Sequence, residues 1–169
     1  MNKLVKILDT TIAWIMITLM VVLVMVVTWQ VFTRYVLGEA SSYSEETARF
    51  LLIWIGLLGA AYAYKQNMHL AFDLFTNKAT GVRKFWMDII IHFLVALFST
   101  LVLVLGGFYL VQLTWEMKQL SASLQIPLAY IYTALPLSGL IIVFYSSWFI
   151  RKIVIDGPVE PKQPIDGVA

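Results

Sequence analysis

The chain has 169 residues, 60% of them hydrophobic and 13% charged, with a formal net charge of +2 and a mean hydropathy of +0.82. A soluble domain carries roughly a quarter charged residues and just under half apolar ones, so this composition excludes a soluble globule and makes the bilayer its solvent. Near-neutral charge gives no case for nucleic acid as a partner, and the absence of cysteine excludes disulfides, thiolate metal sites and cysteine nucleophiles.

The N-terminal stretch "MNKLVKILDTTIAWIMITLMVVLVMVV" has the basic start of a signal peptide. Its uncharged run, Thr10 to Thr33, covers 24 residues. That exceeds a signal core of about 7–15 residues, and no small-residue cleavage site follows. It reads as a retained transmembrane helix over about 10–36. The next run, Phe50 to Tyr64, has only 15 uncharged residues, short of the roughly 20 needed to cross. "SYSE" at 42–45 reads as a capping box, Ser42 as N-cap and Glu45 at N3. Glu45 and Glu46 then sit near the positive end of the helix dipole, and Arg49 can pair with Glu45 four residues back. Extended this way, the second helix covers about 43–66.

"NMHLAFDLFTNKATGVRKF" follows, with an apolar stripe of Leu70, Leu74 and Phe75. A short helix lying in the interface and an irregular loop both fit. The third helix is expected over about 86–115. The fourth is expected over about 127–151, with Pro127 in its first turn and Pro136 kinking it. The fold class is therefore all-α integral membrane with four transmembrane helices. Residues 1–155 form one domain, and the proline-bearing tail, 156–169, is expected to be disordered.

Charge orients the helices. Lys3, Lys6, Lys65, Lys78, Arg83, Lys84, Arg151, Lys152 and Lys162 fall on one side, and Arg34, Arg49 and Lys118 on the other. The positive-inside rule places both termini in the cytoplasm. Trp14, Trp86 and Trp148 fall near the inner interface and Trp29, Trp115 and Tyr130 near the outer one, in keeping with aromatic belts.

The first, third and fourth runs hold no acidic or basic residue near mid-membrane. Secondary transporters place ionisable groups there to bind substrate and ion, so this chain is not expected to transport alone. Gly56 and Ala60 form a small-xxx-small pair beside Gly59, and Gly106 and Gly107 lie within the third helix. Such residues let helices approach closely, either within the bundle or against a partner subunit. Gln30 and Arg34, at i, i+4, can reach Glu45 or Glu46 across the loop, or Arg34 can snorkel to the interface. Asp88 and His92, also i, i+4, read as a helix-end hydrogen bond. Haem ligation by His69 and His92 has no support in their spacing, and no cofactor or metal is expected.

The stretch "WQVFTRYVLGEASSYSEETARFLLIWIGLLGAAYAYKQNMHLAFDL" resembles the small, DctQ-like membrane subunit of tripartite ATP-independent periplasmic (TRAP) transporters. The likeness rests on Phe32, Arg34 and Tyr35; on Glu45, Glu46 and Arg49; on Trp54, Leu58, Gly59, Ala60 and Ala61; and on His69 and Asp73. "IPLAYIYTALPLSG" adds Pro127, Tyr132 and Pro136. One departure is Tyr43, where the family often has Trp. The resemblance covers most of residues 10–150. It implies a large multi-span subunit in the bacterial inner membrane carrying the sodium-coupled site, and a periplasmic binding protein delivering an organic acid of the sialic acid or C4-dicarboxylate class. This chain is then a non-catalytic scaffold in lipid, with Arg34, Glu45, Glu46 and Arg49 as an outer polar cluster for partner docking. His69, Asp73, Asp88 and His92 are polar groups at cytoplasmic helix ends. Two other classes stay open on the residues alone. An autonomous small multidrug exporter should carry an acid within residues 10–33, which have none. A membrane anchor of a redox complex is the other.

Overall fold

Lipid offers a backbone no hydrogen-bonding partners, so a chain that lives there must satisfy its own amides. The computed structural model describes residues 2–38, 41–76 and 82–157, with the side chains of 2, 4, 67–76 and 156 outside that description. Among them the ordered backbone is helical, apart from one isolated antiparallel bridge between Leu120 and Pro127. The helices are α1 (Asn2–Phe32), continued by a π-helical turn at Thr33–Leu37; α2 (Ser42–Thr76); α3 (Val82–Phe98), widened to π spacing over Ser99–Gly106 and resuming as α4 (Gly107–Glu116); α5 (Leu128–Tyr132); and α6 (Ala134–Asp156). They make four segments long and apolar enough to cross a bilayer: span 1 (Val5–Leu37), span 2 (Ser42–Gln66), span 3 (Val82–Glu116) and span 4 (Leu128–Ile155).

Several boundaries differ from expectation, each for a visible reason. α1 begins before the apolar run, because Asp9 is held by side chains of two other spans. Span 1 ends at Gly38, whose left-handed φ of 76° stops the helix. The cap of α2 is Ser41 and not Ser42: the Ser44 amide and hydroxyl both donate to Ser41 Oγ, at 3.4 and 2.8 Å. α2 then runs unbroken to Thr76, so the stretch with Leu70, Leu74 and Phe75, for which a short interfacial helix and an irregular loop both stood open, is a continuation of α2. Residues 77–81 lie outside the described residues, as does the expected disordered tail beyond Gly157. Pro127 is the N-cap of α5, one position before its expected place. Pro136 has no amide to offer the Tyr132 carbonyl, and span 4 breaks three residues before it, at Thr133, between α5 and α6.

The spans form an open row. Span 1 packs on span 2, span 2 on span 4, and span 4 on span 3. Near the termini Val5 and Ile12 of span 1 also join a buried cluster with Tyr145 and Phe149 of span 4. Of the apolar window of span 4, 39% is buried, against 11% for each of the edge spans 1 and 3.

Spans 3 and 4 cross on glycine. A Cβ at Gly139 would stand 2.7 Å from Leu103 Cβ and 2.9 Å from Val104 Cγ2. One at Gly107 would stand 2.9 Å from Leu135 Cβ and 3.0 Å from Pro136 Cδ. Ser99, at the start of the π-helical segment, uses the closeness to donate to the Gly139 carbonyl at 3.0 Å. A Cβ at Gly59 would stand 3.3 Å from Met16 Cε of span 1, whereas one at Gly56 would meet open space. Gly56, Ala60 and Gly106 lie on exposed surface, so the small residues divide between an internal crossing and outward faces.

Alanine at Gly139 or Gly107 is expected to lower stability by about 1–3 kcal/mol through overpacking. Alanine at Gly56 should be neutral or stabilising, since its intrinsic helix preference over glycine is about 1 kcal/mol. Thermal denaturation of the purified chain in detergent checks that ranking.

Candidate functional site

Polar side chains gather at the two ends of the spans. At the end carrying the termini, Asp9 of span 1 pairs with Lys65 of span 2 and accepts from the Tyr145 hydroxyl of span 4 at 2.6 Å. Tyr145 is fully buried, and the Asp9 and Lys65 side chains are 16% and 21% exposed, so water screens this pair only in part. Beside it the Tyr64 hydroxyl lies 2.9 Å from His92 Nδ1 and 2.7 Å from Ser146 Oγ. A chain in which Ser146 donates to Tyr64 and Tyr64 donates to the imidazole nitrogen satisfies all three groups. The His92 ring stacks on Phe149 at 5.0 Å between centroids.

The two networks are adjacent because they use consecutive residues. Tyr64 reaches span 3 and Lys65 reaches span 1; Tyr145 and Ser146 divide in the same manner between Asp9 and Tyr64. All four spans are thereby tied at one level. The sequence reading missed this arrangement, although it carried a signal: Asp9 and Lys65 flank neighbouring apolar runs at the same end and have opposite charge. For His92 it looked only along its own helix to Asp88 and not across to span 2, where the Tyr64 hydroxyl lies 2.9 Å from Nδ1.

At the opposite end the acidic pair separates. Glu45 forms an exposed i, i+4 ion pair with Arg49 at 2.9 Å, as the spacing predicts. Glu46 accepts hydrogen bonds from three successive amides, Ala122, Ser123 and Leu124, at 3.0, 2.9 and 2.9 Å. Successive N–H groups converging on one anion form a nest, and Glu46 fills it from another helix. The loop so held, residues 117–127, is closed by Ser121 N–H to the Ile126 carbonyl and by Leu128 N–H to the Gln119 carbonyl, at 2.9 and 3.0 Å. Main-chain amides carry no sequence signature, so the destination of Glu46 was not legible in advance. The reach of Gln30 and Arg34 toward these carboxylates is not realised. Arg34 is exposed with no ion pair among the described residues, and Thr33 Oγ1 donates to the Gln30 carbonyl at 3.0 Å. The side chains of His69 and Asp73 lie outside the described residues. Among the described residues no three His, Asp or Glu side chains converge as a metal cage.

This geometry defines a polytopic helical membrane protein whose polar chemistry sits at its two ends. The family described as tripartite ATP-independent periplasmic transporters, DctQ component, matches residues 23–154, and the chain belongs to it. The family is one of transporter components rather than enzymes, and the protein is a multi-pass protein of the bacterial inner membrane. Over 64 residues, 38% of this chain and 37% of the relative, it is 41% identical to the sialic acid TRAP transporter small permease protein SiaQ of Vibrio cholerae. Over 45 residues, 27% of this chain, it is 38% identical to a putative TRAP transporter small permease protein of Haemophilus influenzae, of which the match covers 28%. Over 102 residues, 60% of this chain, it is 22% identical to the C4-dicarboxylate TRAP transporter small permease protein DctQ of Rhodobacter capsulatus, of which the match covers 44%. The matched stretches thus span less than half the length of each of these relatives.

Two substitutions probe the two ends. Asp9→Asn removes the counter-charge of Lys65 and should destabilise the chain by up to about 3 kcal/mol, the lower end for removing one partner of a buried pair. Asp9→Asn with Lys65→Met should recover part of that loss in thermal denaturation. Glu46→Gln should accelerate hydrogen exchange of the Ala122, Ser123 and Leu124 amides several-fold while the helical amides of span 4 keep their protection.

Proposed function

We propose that this chain is the small permease subunit of a sodium-coupled, binding-protein-dependent transporter importing an organic acid, and that it acts as a scaffold. It packs on the fixed part of the large membrane subunit and does not itself bind the solute. The termini face the cytoplasm and the 117–127 loop faces the periplasm. The observation that carries the reading is the open row: edge spans with only 11% of their apolar windows buried offer broad apolar faces for a partner subunit and lipid. Family membership supports it. The names of the Vibrio and Rhodobacter relatives favour a sialic acid or C4-dicarboxylate class of solute.

The exposed outer groups Arg34, Glu45 and Arg49 are the docking surface for the binding protein. Exposed i, i+4 ion pairs contribute little to stability, so Glu45 and Arg49 can be altered without loosening the fold. Glu46 leaves that surface because its carboxylate is committed to the loop.

Reconstitution in vesicles under a sodium gradient tests the scaffold role. With the binding protein and the large subunit present, organic acid should accumulate only when this chain is included. The chain alone should accumulate none, and accumulation by it alone contradicts the reading. Glu45→Gln with Arg49→Gln should lower uptake several-fold while copurification with the large subunit is unchanged. Wild-type uptake in that variant removes the pair from the docking surface.

A further inference from the structure

A loop in water has no need to satisfy its amides internally, because solvent does it. The 117–127 loop nonetheless places its donors on protein acceptors. Met117, Lys118 and Gln119 donate to the carbonyls of Leu113, Trp115 and Thr114. Ser121 and Leu128 close the hairpin, and Glu46 takes the three amides at the tip. Lys118 and Gln125 adopt left-handed backbone, with φ of 48° and 56°, a conformation that non-glycine residues reach only at a cost. On this hairpin the apolar Met117, Leu120 and Ile126 are 61%, 52% and 39% exposed, beside the exposed polar side chains of Lys118, Gln119 and Gln125. Trp115 and Tyr130, on the helices that enter and leave it, meet edge-to-face at 5.8 Å and are also exposed. The hairpin begins where span 3 ends, at Glu116, and ends where span 4 begins, at Leu128.

We propose that the 117–127 hairpin is an interfacial plate that rests in the headgroup–acyl boundary of the leaflet opposite the termini, with Glu46 as the residue that holds its shape. Three features select lipid over water or protein as its surroundings. Its backbone donors are largely spent internally, which lowers the cost of leaving water. Its exposed side chains mix apolar Met117, Leu120 and Ile126 with polar Lys118, Gln119 and Gln125, a composition suited to the boundary between acyl chains and headgroups, and its flanking aromatics are the residue types that favour the headgroup level. A plate so seated is not part of the surface that meets the binding protein, which leaves docking to Arg34, Glu45 and Arg49. The placement needs only that the spans cross a bilayer, and it stands or falls separately from the scaffold reading.

The full chain has no native cysteine, so single nitroxide labels report one position each. Leu120→Cys, Ile126→Cys and, as a polar reference on the first turn of span 2, Glu45→Cys are labelled and reconstituted in vesicles of phosphatidylethanolamine and phosphatidylglycerol. Collision with oxygen is compared with collision with a water-soluble nickel chelate. The ratio of oxygen to nickel accessibility should be several-fold higher at 120 and 126 than at 45, and should fall toward the reference when Glu46→Gln is added. Free nickel access at 120 and 126 in the otherwise native chain overturns the proposal. So does protection that arises only when the large subunit is reconstituted alongside, because the hairpin then seats on protein. The labels in the chain with Glu46 intact decide the matter even if Glu46→Gln does not fold.

Discussion

Helices in lipid gain nothing from hiding apolar surface from one another, since the lipid tails are as apolar as leucine. What fixes one span against the next must therefore be close packing or polar contact. In this protein the polar contact is the double network at the termini end. Asp9 binds Lys65 and Tyr145, and Tyr64 binds His92 and Ser146. Because Tyr64–Lys65 and Tyr145–Ser146 are neighbours in sequence, one turn of span 2 and one turn of span 4 hold both edge spans. The groups are polar, and losing them would leave buried hydrogen-bonding capacity unmet. That penalty specifies register, which apolar packing between parallel faces does weakly. The glycine crossing of spans 3 and 4 near Gly107 and Gly139 supplies the second constraint, further along the axes of those spans.

From this tie the shape follows. Spans 2 and 4 are the inner elements and spans 1 and 3 the edges, so most apolar side chains of the edge spans face outward, Ile17, Val21 and Val24 on span 1 and Leu94, Phe98 and Leu101 on span 3 among them. A closed bundle of four helices would hide a larger share of each. A row keeps two broad faces free, which is what the proposed scaffold role requires. At the other end Glu46 does for the 117–127 loop what the double network does for the helices: it fixes a segment through contacts made 76–78 residues away in sequence.

The four spans were legible because hydropathy is a sum over many residues and survives local error. The Glu45–Arg49 pair was legible because it is local, at helical spacing. Boundaries were less so. Ser41 and Ser42 are equally good caps by type, and only the geometry of Ser44 chooses between them. α2 passes Gln66 without a break, since no proline or glycine stops it there. The division of Glu45 from Glu46 was hidden because backbone amides, identical at every residue, receive the second carboxylate. Asp9, Lys65, Tyr145 and His92 were individually visible, but a network joining four helices depends on their order in the row, which hydropathy does not contain. The same gap left the glycines undivided: Gly56 and Gly107 look alike in sequence, and only the crossing of spans 3 and 4 gives one of them a neighbour.

The claim on which this account turns is that the double network holds the edge spans in place. A pair of nitroxide labels introduced at Ile7→Cys on span 1 and Ile90→Cys on span 3, both exposed positions, reports the distance across the row by pulsed electron resonance. In the native background the distribution should be single and narrow. With Asp9→Asn and His92→Phe combined it should broaden and shift outward. Distributions of equal width and position in the two backgrounds would contradict the account.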